Sequence, residues 1–430
     1  MAIMIKTLTL AFTLLFLITP KLSFSAELNT GERVKIQSSV LKEEREIQIL
    51  LPESYSSHSE ATYPVIYLID GDYTFHGMSG MLDFLANKAQ LIPDVIVVAI
   101  ADKGTEIYRQ NMTPKGLTAP FKKEDAGKAE LFLSFLTEEV KPYINSNYRV
   151  ADNAILVGHS MGGLFVLNAL FEAPNAFDHF VSMSPSVWLN DYAIMAKAKS
   201  FIEKDDHKPT SLYLSLGDEN RQGVYGVLQL LDEAQPKNTH WQFSQYPNEN
   251  HNSVGLIALR DNLKAIFKGW FITDKELSQS MSPEQLLQHY KALSLSLNLN
   301  QSIPTPSIKS AIRYFYRQEK ASEIPAFMAK IKKELPASEQ GFIIMQSSYV
   351  GHYDSPESAL KILQLSEERF NHSVEYLKSI ASTYEQLDNT ILAINYYEKA
   401  LKLAQLYNSN QWQINIIEAK LLKIRAKNKG

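Results

Sequence analysis

Ala154-Ile-Leu-Val-Gly158-His-Ser160-Met-Gly162-Gly163-Leu164 joins a short apolar run to a helix-forming run through three glycines. The run Ala154–Val157 has the length and residue types of a strand buried on both faces. From Leu164 the chain reads as a helix. A G-x-S-x-G between strand and helix makes a turn so tight that side chains two residues either side of the serine would collide. The turn would hold Ser160 in a strained backbone conformation and lift its hydroxyl clear of the sheet. The amide of Met161 and the helix N-terminus would then lie where an oxyanion forms.

Around this turn, short β-rich runs alternate with helical stretches from about residue 31 to 275. Val34–Val40 and Arg45–Leu51 read as an edge hairpin. Val65–Ile69, Val95–Ile100, Phe180–Met183, Ser211–Leu216 and Trp241–Ser244 read as further strands, with helices such as Leu131–Ile144 and Leu164–Phe171 between them. Strands alternating with helices predict an α/β fold, an α/β-hydrolase with a mostly parallel central sheet covered on both faces.

A serine needs a base, and the fold places the residues in the order Ser, acid, His. His251 follows the last strand and is the only histidine between it and the end of the alternating region. The acid belongs after the preceding strand, where Gly217-Asp218-Glu219 lies. Both carboxylates are placed to orient the imidazole; Glu219 is favoured and Asp218 stays open. A second oxyanion donor comes from the loop after the third strand, so the Gly71-Asp72-Tyr73 backbone is the candidate, alongside Met161. His159 belongs to the turn itself and packs under it, and both His159 and His76 are candidate substrate-binding residues of the pocket.

Beyond Thr273 strand signals vanish and helix-period runs continue, with a loop-like stretch at Ser294–Ser307. Ala381, Tyr384, Ala393, Tyr397 and Ala400 follow the spacing of a tetratricopeptide helix pair. Shifted back by 34 residues, Ser347, Val350, Ala359, Leu363 and Ser366 repeat the small or apolar pattern; one shift further, Tyr316 fits and Pro325 does not. The expected division is therefore 1–26 as a signal peptide, 27–275 as the catalytic domain, and 276–430 as a small all-α helical-repeat domain. Two or three repeats bury little surface alone. The helical domain is expected to form a homodimer contact, bind a protein partner or border the pocket mouth.

Composition narrows the function classes. The chain has 430 residues, 45% hydrophobic and 21% charged, with a net charge of −4. That length suggests more than one core, and the mild charge gives no reason to expect nucleic acid. Leu8–Ile18 is an apolar run of 11 residues after Lys6, too short to span a bilayer and suited to a signal peptide cut after Ser25 or Ala26. Loss of residues 1–25 removes Lys6 and Lys21, leaving −6. A periplasmic or secreted location is expected, with no membrane span. Cysteine is absent, which excludes disulfides, a thiol nucleophile and a lipoprotein anchor. No compact metal-ligand cluster occurs, and the serine chemistry needs neither metal nor cofactor.

Seven segments carry a family resemblance: Tyr67-Leu-Ile-Asp-Gly71, Arg109-Gln-Asn-Met-Thr-Pro114, Glu139-Val-Lys-Pro-Tyr143, Gly158–Gly163, Ser184-Pro-Ser-Val-Trp188, Ser215-Leu-Gly-Asp-Glu219 and His251-Asn-Ser-Val254. Over about residues 30–275 the chain resembles the esterase family that includes esterase D, feruloyl esterases and the siderophore (enterobactin and salmochelin) esterases, with the siderophore branch most similar. The resemblance implies Ser160 as nucleophile, His251 as base, and Arg109 and Trp188 as substrate contacts. It leaves Glu219 and Asp218 unresolved. It implies a small-molecule ester substrate and an acyl-enzyme, which an alcohol in place of water would turn to acyl transfer. Typical siderophore esterases lack the helical repeat region. If that region dominates, the chain is instead a scaffold that binds a partner.

Overall fold

The computed structural model describes residues 31–115, 127–219, 223–279, 281–407 and 409–427. The expected signal peptide, residues 1–26, lies outside them.

Eight strands form one sheet: β1 (Glu32–Ser38), β2 (Glu43–Leu50), β3 (Tyr63–Leu68), β4 (Ile96–Ile100), β5 (Val150–His159), β6 (His179–Met183), β7 (Thr210–Leu216) and β8 (Thr239–Gln245). Their spatial order is β1-β2-β4-β3-β5-β6-β7-β8. The β1–β2 and β2–β4 pairs are antiparallel, and every pair from β4 to β8 is parallel. All eight strands read from the sequence are present, and the expected α/β-hydrolase architecture is the one observed.

The apolar runs are strands because both faces need covering. Side chains alternate across a strand. Ile66 and Leu68 of β3, with Ile155 and Val157 of β5, join one buried layer. Val65, Tyr67 and Leu156 join the opposite layer. Burying one such aliphatic side chain stabilises by about 1.5–3 kcal/mol, so a short central strand contributes substantially on each face. One layer is covered by helices Gly71–Asp83 and Val254–Ile266, the other by helix Met161–Glu172 and the helical stretch 129–147.

The first layer does not stop where the sequence pattern changes. It continues through Trp270 into Leu286, Leu287, Tyr290, Ile308, Ile312 and Phe315 of the helices beyond. Helix Pro283–Ser296 begins with a capping box in which Ser282 and Gln285 bond each other's backbone N–H. Ser355, Ser373 and Asn389 cap three later helices more simply, each side chain accepting from an N–H three residues on. A second apolar cluster gathers Leu363, Ala381, Ala393, Tyr397 and Ala400 with the last helix, Gln411–Lys427. Ala381, Ala393 and Ala400 are fully buried, as close approach of helices Val374–Gln386 and Thr390–Leu406 requires.

The helical part is tied to one end of the sheet. The buried Gln301 side chain accepts the Asp94 N–H at 3.0 Å and donates to the carbonyls of Thr62 (3.0 Å) and Asp94 (2.8 Å). Asn298 and Asn300 donate to the carbonyls of Asp152 and Glu60. At the far end of the chain the Asn410 N–H donates to Glu53, and the Lys88 ammonium lies 5.0 Å from the Trp412 ring. Thr62, Asp94 and Asp152 sit where β3, β4 and β5 begin, whereas Ser160 follows the end of β5. These contacts therefore anchor the helices at the end of the sheet opposite Ser160. The expected position bordering the pocket mouth is not what they provide. Among the described residues no helix is long and apolar enough to cross a membrane.

Candidate active site

Ser160 sits between β5 and helix Met161–Glu172 with φ 58° and ψ −115°. A left-handed serine costs roughly 1–3 kcal/mol and persists only where its surroundings enforce it. They do so here: its N–H donates to the Met183 carbonyl at 2.9 Å, and its carbonyl accepts from Leu164 and Ser186. A Cβ on Gly158 would lie 2.3 Å from the Gly162 oxygen, and one on Gly162 would lie 2.6 Å from a carboxylate oxygen of Asp70. Any side chain at either position would displace backbone or a buried carboxylate, so the glycine spacing that marked the motif is a steric necessity.

The neighbouring strand ends bring up the partners. His251, in the loop after β8, places Nε2 2.9 Å from the Ser160 Oγ. Its Nδ1 lies 2.7 Å from an oxygen of Glu219, which follows β7. With Nδ1–H donating to the carboxylate, Nε2 is left as the acceptor of the Ser160 hydroxyl. Glu219 is buried to 9% side-chain exposure. Its other oxygen accepts from the Ser184 hydroxyl at 2.7 Å. Asp218 is exposed and anchors the loop through its backbone, its N–H donating to the Glu249 carbonyl at 2.7 Å. Of the two candidate acids, Glu219 is the one beside the imidazole. Gly217 permits this approach, since a Cβ there would lie 2.7 Å from the Glu249 oxygen.

His159 does pack under the turn. Its Nε2–H donates to the His251 carbonyl at 2.6 Å, and the two rings are 4.7 Å apart. Burial, reinforced by His251, holds its pKa below the usual histidine value. It therefore supports the base as a neutral ring.

In the loop after β3, the Tyr73 N–H donates to the Asp70 carbonyl at 3.2 Å, and its ring is 93% exposed. Among the first amides of helix Gly71–Asp83, which lack intrahelical acceptors, Gly71 and Asp72 remain as the candidates. The Asp72 carboxylate is held by Arg33 (2.7 Å) and Gln48 (2.8 Å), which fixes the loop against β1 and β2. His76 stands on the exposed face of the same helix. Arg109 is half-buried in the last turn of helix Thr105–Met112, and Trp188 is partly exposed just before the short helix Leu189–Tyr192.

Sequence reasoning passed over two serines. Ser184, with φ 42°, holds Glu219, and the Ser186 hydroxyl lies 3.4 Å from that of Ser160. Both stand in the segment Ser184–Trp188, which was read only for its tryptophan. The signal was there, as two hydroxyls at the end of the strand adjacent to the turn.

The profile of the family described as "Putative esterase" matches residues 38–254. The chain is similar to the ferri-bacillibactin esterase of Bacillus subtilis, 28% identical over 254 residues, 52% of this chain and 85% of that protein. It is also similar to the siderophore triacetylfusarinine C esterase of Aspergillus fumigatus, 28% identical over 244 residues, 48% of this chain and 82% of that protein. Among solved structures it resembles an IroE-like serine hydrolase from Shewanella oneidensis, with 27% identity and a TM-score of 0.58 over 73% of this chain and 99% of that one. The chain belongs to this esterase family and is a carboxylic-ester hydrolase.

Proposed function

We propose that the protein hydrolyses a siderophore-type ester through an acyl-enzyme on Ser160. The observation that carries this reading is the hydrogen-bonded line Ser160 Oγ, His251 Nε2, His251 Nδ1, Glu219, at 2.9 and 2.7 Å. In this scheme His251 takes the Ser160 proton as Oγ bonds to the ester carbonyl carbon. Glu219 keeps the imidazole in the required tautomer and stabilises its protonated form. The oxyanion rests on the Met161 amide and the Gly71–Asp72 backbone. The C–O bond to the alcohol breaks as His251 protonates the leaving oxygen. Water, deprotonated by the same His251, then attacks the acyl-enzyme and releases the acid.

Similarity to a ferri-bacillibactin esterase and a triacetylfusarinine C esterase supports the substrate class. Arg109 and Trp188 are the residues proposed to contact it. Residues 1–26 are proposed to direct export to the periplasm or beyond. Residues 276–430 are proposed as a helical-repeat domain that supports the sheet from the end remote from Ser160, with its outer face available to a second copy or a protein partner.

The test is turnover of p-nitrophenyl esters of graded chain length, beside ferric and iron-free tri-catecholate esters, by the full chain and by Ser160→Ala. The reading expects hydrolysis of a siderophore ester and no turnover by the variant with an unchanged circular dichroism spectrum. Activity only on short p-nitrophenyl esters would remove the substrate class. Turnover by Ser160→Ala would remove the mechanism.

A further inference from the structure

Asp70 is the residue whose cost the scheme above leaves unexplained. It ends the β3 segment in a left-handed conformation, φ 68° and ψ 40°, without the freedom of glycine. It is buried to 8% exposure, and its Oδ1 has no hydrogen-bond partner. Strained residues and orphaned buried polar atoms each cost stability, and costs of this kind collect at functional sites.

Its surroundings suggest what is gained. The Asp70 carbonyl accepts the N–H groups of Tyr73 and Thr74 and the Thr74 hydroxyl, which sets the first turn of helix Gly71–Asp83. Its carboxylate lies against the first turn of the other helix, where a methyl group on Gly162 would meet Oδ2 at 2.6 Å. The Gly162 N–H donates to the Tyr108 hydroxyl at 3.1 Å. The Tyr108 hydroxyl and the His159 N–H lie beside the Asp70 carboxyl and oppose the effect of burial on it.

We propose that Asp70 and Tyr108 are positioning residues that lock the two halves of the oxyanion site to each other. The Tyr108 hydroxyl takes the Gly162 amide away from the space above Ser160, leaving the Met161 amide as the one aimed there. Asp70 holds that hydroxyl and, through its own backbone, starts the loop that carries the Gly71 and Asp72 amides. One side chain thus fixes the spacing between the two sets of donors. This inference rests on the oxyanion reading given under the proposed function.

Asp70 serves as an acceptor in this arrangement, so its charge is dispensable. Burial pushes its carboxyl up to about 7, opposed by the Tyr108 hydroxyl, raised further by Asp102 and opposed by the His159 amide. A carboxyl with a raised folded-state pKa contributes stability that is present below its unfolded value and lost as the pH rises through the folded one. Above pH 7 an asparagine should therefore be at least as stable as the native residue.

The experiment measures kcat, KM and Tm at pH 8 for Tyr108→Phe, Asp70→Ala, Asp70→Asn and the Tyr108→Phe/Asp70→Ala pair, with Ser160→Ala as reference. Misplaced donors slow the chemical step, so Tyr108→Phe and Asp70→Ala are each expected to lower kcat by about 10-fold or more with KM within about twofold. The pair should be no worse than the more damaging single change, since both break one linkage. Asp70→Asn should recover kcat to within about threefold, with a Tm no lower than the parent's. Unchanged kcat in Tyr108→Phe, losses that multiply in the pair, or an Asp70→Asn as slow as Asp70→Ala would each overturn the inference. If Asp70→Ala does not fold, Tyr108→Phe and Asp70→Asn decide it. Turnover by Ser160→Ala would instead indict the underlying mechanism, so the two failures are distinguishable.

Discussion

The two ends of the central sheet are built on opposite principles. At the end where β3, β5 and β6 finish, Asp70, Ser160 and Ser184 all adopt positive φ, and short polar contacts converge on one serine. At the end where β3, β4 and β5 begin, Gln301 and two asparagines satisfy strand-end backbone groups through side-chain amides. The first end holds strained backbone and gathers polar side chains around the Ser160 hydroxyl. The second leaves its donors and acceptors paired, with Gln301 buried among them. The contrast separates residues kept for chemistry from residues kept for assembly, although both are polar and sit at strand ends.

The sharpest way to break this contrast is at the acid loop. Glu219→Gln should slow turnover by about 10²–10⁴, because an amide cannot stabilise the protonated imidazole. Asp218→Asn, one residue away and exposed, should stay within about threefold of the parent on the same reasoning. Steady-state kinetics on a p-nitrophenyl ester checks both. Equal losses would mean that the loop, and not the Glu219 carboxylate, is what matters.

A smaller effect tests the other end. Gln301→Ala removes three hydrogen bonds and leaves the Asp94 N–H and two carbonyls buried without that partner. Orphaning buried groups costs about 1–3 kcal/mol, so the Tm should fall by a few degrees. Turnover should stay within about twofold of the parent, since the change lies at the far end of β3 and β4 from Ser160. A loss of kcat at unchanged Tm would show that the two ends are coupled.

Legibility in the sequence follows the same divide. The strands were readable because parallel strands buried on both faces need continuous apolar runs, as in Val65–Ile69 and Ala154–Val157. Ser160 was readable because only glycine fits at 158 and 162. His251 followed from chain order. Glu219 was favoured over Asp218 but not fixed, since one residue of difference in a loop reverses which carboxylate turns inward. The supporting role of His159 was not readable, because its bond to the His251 carbonyl spans 92 positions. The attachment of the helical part was hidden for a related reason. Asn298, Asn300 and Gln301 lie in a polar stretch that reads as an ordinary linker, and nothing local reveals that their amides face strand ends 146 to 240 residues earlier. The continuous apolar layer from Ile66 to Phe342 was likewise invisible to a reading that placed a boundary where periodicity changed.

The central claim is that Ser160 is an activated nucleophile. Its most direct test is reaction of the full chain with a fluorophosphonate, followed by peptide mass mapping. The account predicts one adduct per chain, on the peptide carrying Gly158–Gly163 and at Ser160, strongly slowed in Glu219→Gln and absent in Ser160→Ala. An adduct on Ser186 or elsewhere, or undiminished labelling of Ser160→Ala, would contradict it.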